Sequence, residues 1–393
     1  MAVFVPSERV KRLPVNFFDR LDERLAESAG KSGKPFINLS KGNPDLPTPA
    51  HIIQAMKKAI VKPENQAYPP FLGKENIRLA ISRFYKKEYG VTIDPLSEVA
   101  VFHGAHIGIT AIPQILLNPG DYLLITDPCY PIYHSAATLA GAKTFALPLE
   151  ETNGYLPDYR VIPEDIRKKS KLLLLNYPNN PTGALASESF YQETLDFARE
   201  NNIPVLNDFA YASLGFDRRK PISLLQLNGA KEFGIEVYTL SKTYNMAGWR
   251  FGFAVGNASI IQALNHFQMH AYSTVFGAVQ DAAACALESD QKCVREIVST
   301  YQERRDHLIK SLRKIGWPVP KPEGTFFAWL PVPEGYNSQT FADLLFEQAH
   351  IVVAPGIGFG EKGDRYIRIS LVSRVEMLEE AVERIREMNL FFK

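Results

Sequence analysis

The sequence predicts an α/β protein: a large unit built on a mostly parallel mixed sheet flanked by helices, followed by a smaller α+β unit. Three observations carry this. Short, strongly apolar runs bounded by turn residues recur through the middle of the chain. Helical stretches fall between them, and strand–helix alternation implies a mostly parallel sheet. Beyond residue 288 the alternation gives way to longer helices and isolated strands.

In chain order, residues 1–45 form an N-terminal arm, helical around "FFDRLDERLAESAG". The arm is too short to fold alone and is expected to pack on the smaller domain or on a partner chain. Residues 46–287 form the large domain. Its strands are "DYLLITD" (121–127), "KLLLLNY" (171–177), "IPVLND" (203–208), "EVYTLS" (236–241) and "FGFAVG" (251–256). Such runs suit strands buried on both faces. Between them, "SESFYQETLDFAREN" puts Tyr191, Leu195 and Ala198 on one helical face at i, i+4 and i+7. Residues 288–393 form the small domain: a helix over about 288–315, "GTFFAWLPV", a helix "SQTFADLLFEQAH", then "IVVAPG", "DRYIRISLV" and a final helix.

The 393 residues are 46% hydrophobic and 22% charged, with a formal net charge of +1. That is the balance of a soluble globular protein, and without a basic face it gives no support for nucleic-acid binding. The first residues, "MAVFVPSERVKRLP", lack the apolar core of a secretory signal, and no apolar run reaches the roughly 18 residues a membrane span needs. Cys129, Cys285 and Cys293 cannot all pair and lack metal-ligand spacing, so a reducing cytoplasm is expected.

The polar residues at the strand ends point to chemistry, because ligands of such sheets bind at the carboxyl ends of the strands. After "KLLLLNY" comes "PNNPTG", which presents Asn180; after "IPVLN" come Asp208 and Tyr211; after "EVYTL" come Ser241 and Lys242. Gly104, Ala105 and His106 stand where a strand gives way to a helix, a place whose free N–H groups favour an anion. Tyr130 lies in the turn "DPCYPIY", and Arg250 follows Lys242 by eight residues.

Each residue taken singly has an ordinary alternative. Lys242 could be a solvated strand end, Asp208 a helix cap, Asn180 part of a turn, Tyr130 and Tyr68 packing residues, and Arg368 half of a surface pair. Together they meet the needs of a phosphorylated pyridine aldehyde. A lysine amine condenses with the aldehyde, for which it must lose its proton well below the usual value of about 10.4. Asp208 opposite the ring nitrogen keeps that nitrogen protonated, so that the ring accepts electrons. Tyr211 and Asn180 suit the ring oxygen, and Tyr130 suits stacking on the ring. The phosphate needs N–H groups, hydroxyls and a guanidinium fork, for which Gly104, Ala105, His106, Thr239, Ser241 and Arg250 are the candidates.

Over nearly its whole length the chain resembles the class I/II, fold-type I pyridoxal-phosphate aminotransferases. "GNPDLPTP", "YPPFLGKENIRLAI", "NYPNNPTG", "NDFAYASLGF", "SKTYNMAGWRFGF" and "YIRIS" occur in the family's order. The resemblance implies pyridoxal 5'-phosphate as cofactor, with Lys242 as the lysine that carries it and shuttles the proton, and Arg250 on its phosphate. It implies that Arg368 clamps the substrate α-carboxylate and that Gly42 offers its backbone beside the substrate. The alternation of "YIRIS" fits this, placing Ile367 and Ile369 on one face and Arg368 on the other. Tyr68 matches a tyrosine that crosses to the neighbouring subunit's phosphate, which implies a homodimer.

The implied reaction moves an amino group between an amino acid and a 2-oxo acid. The same motifs also occur in C–S β-lyases, cyclopropane-carboxylate synthases and decarboxylating transferases. Regulators that bind the cofactor without catalysis carry an N-terminal DNA-binding domain, for which the first forty residues are too short. In detail, "YTLSKTYNMAGWRFGFAVGNAS" and "FFAWLPVPEGY" are similar to methionine-salvage transaminases that aminate 4-methylthio-2-oxobutanoate. LL-diaminopimelate and alanine-type aminotransferases are the alternative. Phe17, Phe18 and Phe71 favour an apolar or thioether side chain, unless Phe17 and Phe18 only anchor the arm. The run Val15, Asn16, Phe17, Phe18 lacks the tyrosine common near the substrate in diaminopimelate enzymes.

Overall fold

The computed structural model describes residues 4–14, 17–28 and 34–391; Val15 and Asn16 lie outside these. In chain order the strands are β1 (Ile37–Asn38), β2 (Val99–Phe102), β3 (Tyr122–Asp127), β4 (Lys143–Pro148), β5 (Ser170–Leu175) and β6 (Val205–Asp208). They continue with β7 (Gly234–Thr239), β8 (Gly252–Gly256), β9 (Phe327–Pro331), β10 (Ile351–Val352), β11 (Ala354–Pro355) and β12 (Tyr366–Ser370).

Seven strands form the main sheet in the order β2-β8-β7-β6-β5-β3-β4. β8 alone runs against its neighbours β2 and β7, while the β7-β6-β5-β3-β4 pairs are all parallel. Burial on both faces explains the leucine run of β5. Leu172 and Leu174 pack into the core under helices Ala105–Leu116 and Ala258–Ala271, and Leu173 and Leu175 into the core beneath helix Glu188–Asn201. Tyr191, Leu195 and Ala198 of that last helix are fully buried, as its periodicity predicts. β4 was not anticipated. It is an edge strand on which only Leu147 is buried, so its sequence lacks the apolar run that marks the central strands.

A separate core gathers around helix Lys292–Lys314, whose Ile297, Tyr301, Leu308 and Leu312 face β9 and β12. β12 lies between β11 and β9, antiparallel to both. β1 pairs in parallel with β10, which ties the segment after the N-terminal helix to the C-terminal part of the chain. Helix Phe17–Ser28 is held there too: Arg24 pairs with Asp343 and Glu347, and its guanidinium lies 4.1 Å over the Phe346 ring. The stretch "SQTFADLLFEQAH" is helical as expected, but its last turn, Leu345–Ala349, is π-helical. Among the described residues no helix is long and apolar enough to cross a membrane.

Candidate active site

β2, β3, β5, β6 and β7 run the same way, so their carboxyl ends share one edge of the sheet. β8 runs against them and therefore starts at that edge. This explains the spacing of Lys242 and Arg250: the chain leaves β7, makes the short turns Leu240–Thr243 and Ala247–Trp249, and re-enters the sheet at Gly252. Gly252 must be glycine, since a Cβ there would lie 2.6 Å from the Ala105 backbone nitrogen.

A cavity of about 550 Å³ opens at this edge, a size that suits a cofactor with its substrate. Its walls include Gly42, Ala105, His106, Tyr130, Asn180 and Asp208. They also include Tyr211, Thr239, Ser241, Lys242, Arg250 and Arg368. Two of the residues expected to bind the cofactor lie off its wall. Gly104 stands behind it, and Tyr68 is 95% exposed on the surface. Phe18 lines the cavity, Phe17 packs against Phe18 and Phe359, and Phe71 is exposed.

At one end of the cavity, helix Ala105–Leu116 begins at the wall, and a helix leaves its first N–H groups without intrahelical carbonyls. Gly104 holds φ +86°, and a Cβ there would come within 2.6 Å of Arg250 Nη2. The missing side chain therefore lets the guanidinium close over the helix start. Arg250 itself takes a left-handed φ of 55°, uncommon for a residue with a side chain, and its Nη1 donates to Ala247 O at 3.0 Å. Thr239 Oγ1 donates to Ser241 Oγ at 3.0 Å, which sets both hydroxyls on the cavity wall.

In the middle of the cavity, Lys242 Nζ donates to the backbone oxygen of Gly42 at 2.7 Å. Burial, reinforced by the guanidinium groups of Arg368 and Arg250, pulls its pKa down to about 8, with Asp208 opposing. Asp208 is buried at the end of β6, and burial pushes its carboxyl up to about 6. Two donors restrain that rise: Tyr133 Oη at 2.8 Å and Ala210 N at 3.2 Å.

At the other end, Arg368 is buried in β12. Its Nη1 donates to Asn180 Oδ1 and its Nη2 to Ser40 O, both at 2.8 Å, while Nε has no partner among the described residues. Its guanidinium carbon lies 3.8 Å from the Phe327 ring centroid, 4.6 Å from Phe359 and 5.3 Å from Phe18. Burial lowers its pKa to about 10, so it stays charged at neutral pH.

Several members of this arrangement were not read from the sequence. Tyr133 holds the Asp208 carboxylate, and Asn176 bridges two loops: its Nδ2 donates to Asp208 O at 2.6 Å and its Oδ1 accepts from Asn180 N at 2.7 Å. Ser40, Phe327 and the pair Asp22–Lys41 complete the wall. Tyr133 carried one signal, standing three residues after Tyr130 and so on the same side of a helical turn.

The cavity offers a basic cradle beside a helix start, an amine with a lowered pKa, a buried carboxylate and a buried guanidinium. That donor set fits pyridoxal 5'-phosphate, whose phosphate, aldehyde and ring nitrogen need those groups. The comparisons with known proteins agree. The family described as aminotransferase class I and II matches residues 34–385. The L-glutamine–4-(methylsulfanyl)-2-oxobutanoate aminotransferase of Bacillus subtilis is 52% identical over 99% of this chain and 97% of its own length. The LL-diaminopimelate aminotransferase of Syntrophobacter fumaroxidans is 45% identical over 98% and 99%. The substrate-bound structure of BacF from Bacillus subtilis superposes with a TM-score of 0.95 at 46% identity, covering 100% of this chain and 99% of that one. This chain therefore belongs to the class I and II aminotransferases, enzymes of fold type I that use pyridoxal 5'-phosphate to move amino groups between amino acids and 2-oxo acids.

Proposed function

We propose that this aminotransferase takes its amino group from glutamine and delivers it to 4-(methylsulfanyl)-2-oxobutanoate, forming methionine. The observation that carries the reaction is the meeting, in one cavity, of the Lys242 amine, the buried Asp208 carboxylate and the buried Arg368 guanidinium. The substrate assignment is supported by the relative that is 52% identical and named for that reaction. The apolar walls of Phe18 and Phe327 suit a thioether side chain.

When bound, pyridoxal 5'-phosphate supplies the aldehyde that takes up the amino group and the ring that accepts electrons. Arg250, the N–H groups of Ala105 and His106, and the hydroxyls of Thr239 and Ser241 hold the phosphate in our reading, with Gly104 giving them room. Tyr130 covers one face of the ring. Asp208, restrained by Tyr133, keeps a proton on the ring nitrogen. Asn180 commits its Oδ1 to Arg368 and so turns its Nδ2 toward the ring oxygen, which Tyr211 also serves. Arg368 grips the substrate α-carboxylate, and its aromatic surround excludes water. Gly42 lends its backbone oxygen. Lys242 Nζ, neutral in a useful fraction near pH 8, would take the proton from the substrate Cα and return it at the carbon that carried the cofactor's aldehyde, across the intervening nitrogen. A 2-oxo acid runs the same proton moves in reverse.

The same reading extends to assembly and place. Tyr68, 95% exposed beside an exposed Phe71, supports a homodimer in which it reaches the partner's phosphate site. Three free cysteines support a reducing cytoplasm. The core around helix Lys292–Lys314, which also takes in Ile37, Leu39, Tyr211, Leu214 and Phe216, supports a small domain over 288–393 packed on a large one over 46–287, with the arm over 1–45 as a third part.

The test is direct: incubate the holoenzyme with glutamine and 4-(methylsulfanyl)-2-oxobutanoate and follow methionine by chromatography. Methionine formation supports the assignment. Turnover of LL-diaminopimelate with 2-oxoglutarate alone would favour the second reading, for which the Syntrophobacter relative speaks. Release of pyruvate and thiol from a cysteine conjugate would point to a C–S lyase.

A further inference from the structure

We propose that Asp22 and Lys41 form the subsite that recognises the side-chain end of the amino donor, and that the group it takes is a primary carboxamide. The proposal rests on the aminotransferase reading above and names the residues that would give it its donor specificity.

Both side chains line the catalytic cavity, and Lys41 Nζ lies 3.1 Å from Asp22 Oδ1. Their positions follow from the chain on either side. Lys41 sits between Ser40, whose carbonyl accepts from Arg368, and Gly42, whose carbonyl accepts from Lys242. It thus stands at the junction of the carboxylate clamp and the amine. Asp22 follows Phe18 by four residues on helix Phe17–Ser28, so the two share a face. Phe18 lies over Arg368, and Asp22 is one helical turn farther, about 6 Å along the axis. A substrate held at Arg368 by its α-carboxylate would run its methylenes past Phe18 and Phe327 and end near the pair. That is the reach of a side chain with two methylenes and a terminal amide.

The chemistry of the pair selects the end group. A primary carboxamide presents an acceptor oxygen and a donor NH2 group on one carbon. Lys41 Nζ can donate to its oxygen while its N–H donates to Asp22 Oδ1. A thioether offers neither, so it gains from the apolar wall and leaves the ion pair untouched. The pair is about half exposed, with side chains at 52% and 55%. Its mutual attraction is therefore weak in water, and opening it to admit an amide costs little. One site can in this way accept both a polar donor and an apolar product.

The experiment is a specificity ratio on the holoenzyme: kcat/KM for glutamine divided by kcat/KM for methionine, in the wild type and in Asp22→Leu, Lys41→Met and the double variant. The ratio should fall at least tenfold in each single variant, and by less than the product of the two in the double variant, because the two groups act on one amide. LL-diaminopimelate serves as the competing probe, since its distal ammonium and carboxylate also match the pair. A glutamine ratio within twofold of wild type in all variants overturns the proposal and leaves the aminotransferase reading standing. So does a fall confined to the diaminopimelate ratio. A wild type that transaminates methionine but not glutamine overturns both the subsite and the donor assignment. An equal loss with every substrate shows that the pair only fastens the helix to the loop, and that result also rejects the proposal.

Discussion

Arg368 Nη1 donates to Asn180 Oδ1 at 2.8 Å, joining β12 to the loop after β5 across 188 positions of the chain. The group we assign to the substrate carboxylate and the group we assign to the cofactor's ring oxygen are therefore one hydrogen-bonded unit. With Nη2 on Ser40 O and aromatic rings around it, the guanidinium is fixed before any substrate arrives. Such preorganisation is where binding energy is gained without an ordering cost on arrival.

Replacing Arg368 should therefore be felt in substrate binding first. Arg368→Lys keeps the charge and loses the planar fork. We expect KM for the amino acid to rise about 100-fold, in keeping with the cost of disrupting a buried charged hydrogen-bond pair. Cofactor uptake, measured by titration with pyridoxal 5'-phosphate, should change by less than threefold.

Lys242→Ala removes the only amine we assign to proton transfer. The expected loss is about 10⁴-fold or more in kcat, with folding intact by circular dichroism. Appreciable turnover in the purified variant would show that Lys242 is not the proton carrier.

Tyr133→Phe tests a contact the sequence did not mark. Without its hydrogen bond, the Asp208 carboxyl should rise further above its value of about 6. A rise of one unit corresponds to about tenfold in the ionised fraction. The acidic limb of the kcat/KM–pH profile should move toward neutral pH. An unmoved limb would reduce Tyr133 to packing.

Gly104→Ala places a methyl group 2.6 Å from Arg250 Nη2 at a φ of +86°. The guanidinium must give way, and with ψ at 151° the backbone lies in a region reserved almost wholly for glycine, which costs roughly 1–3 kcal/mol for a residue with a Cβ. Affinity for pyridoxal 5'-phosphate should fall at least tenfold, read by equilibrium dialysis, with a smaller loss in melting temperature.

A stability prediction concerns Glu236, buried in β7 away from the cavity. It accepts from Ser223 Oγ at 2.6 Å, Leu224 N at 2.7 Å, Asn207 Nδ2 at 2.9 Å and Tyr85 Oη at 3.1 Å, yet burial raises its pKa to about 7. A carboxyl whose folded pKa is raised stabilises the fold when protonated. That contribution is present below its ordinary value near 4.5 and is lost as pH rises through about 7. Glu236→Gln has no proton to lose, and its amide can donate to the two hydroxyls. The melting temperature of the variant relative to wild type should gain a few degrees between pH 5 and pH 8. A constant difference across that range would contradict the assignment.

The fold was legible in the sequence where burial on both faces left continuous apolar runs, as in β5, and where turns of Pro, Asn and Gly closed them. β4 was not legible, because an edge strand with one buried side chain carries no such run. Within the site, Lys242, Asp208, Asn180 and Arg250 were legible because they are polar residues abutting apolar strands. Tyr133 and Phe327 were not, since a buried aromatic residue looks the same whether it packs or positions. Nor was Ser40 O legible as a partner, because backbone carbonyls leave no trace in residue type; the backbone of Gly42 was indicated only by the family resemblance. The meeting of Asp22 with Lys41 depends on where a helix docks, which no local pattern encodes.

The central claim is that Lys242 and its neighbours bind pyridoxal 5'-phosphate and use it for transamination. An absorbance spectrum of the purified protein tests it most directly, recorded before and after single amino acids are added. A yellow protein that bleaches with glutamine or methionine, and regains its colour with 4-(methylsulfanyl)-2-oxobutanoate, is the predicted result. A colourless protein that takes up no pyridoxal 5'-phosphate would contradict the account.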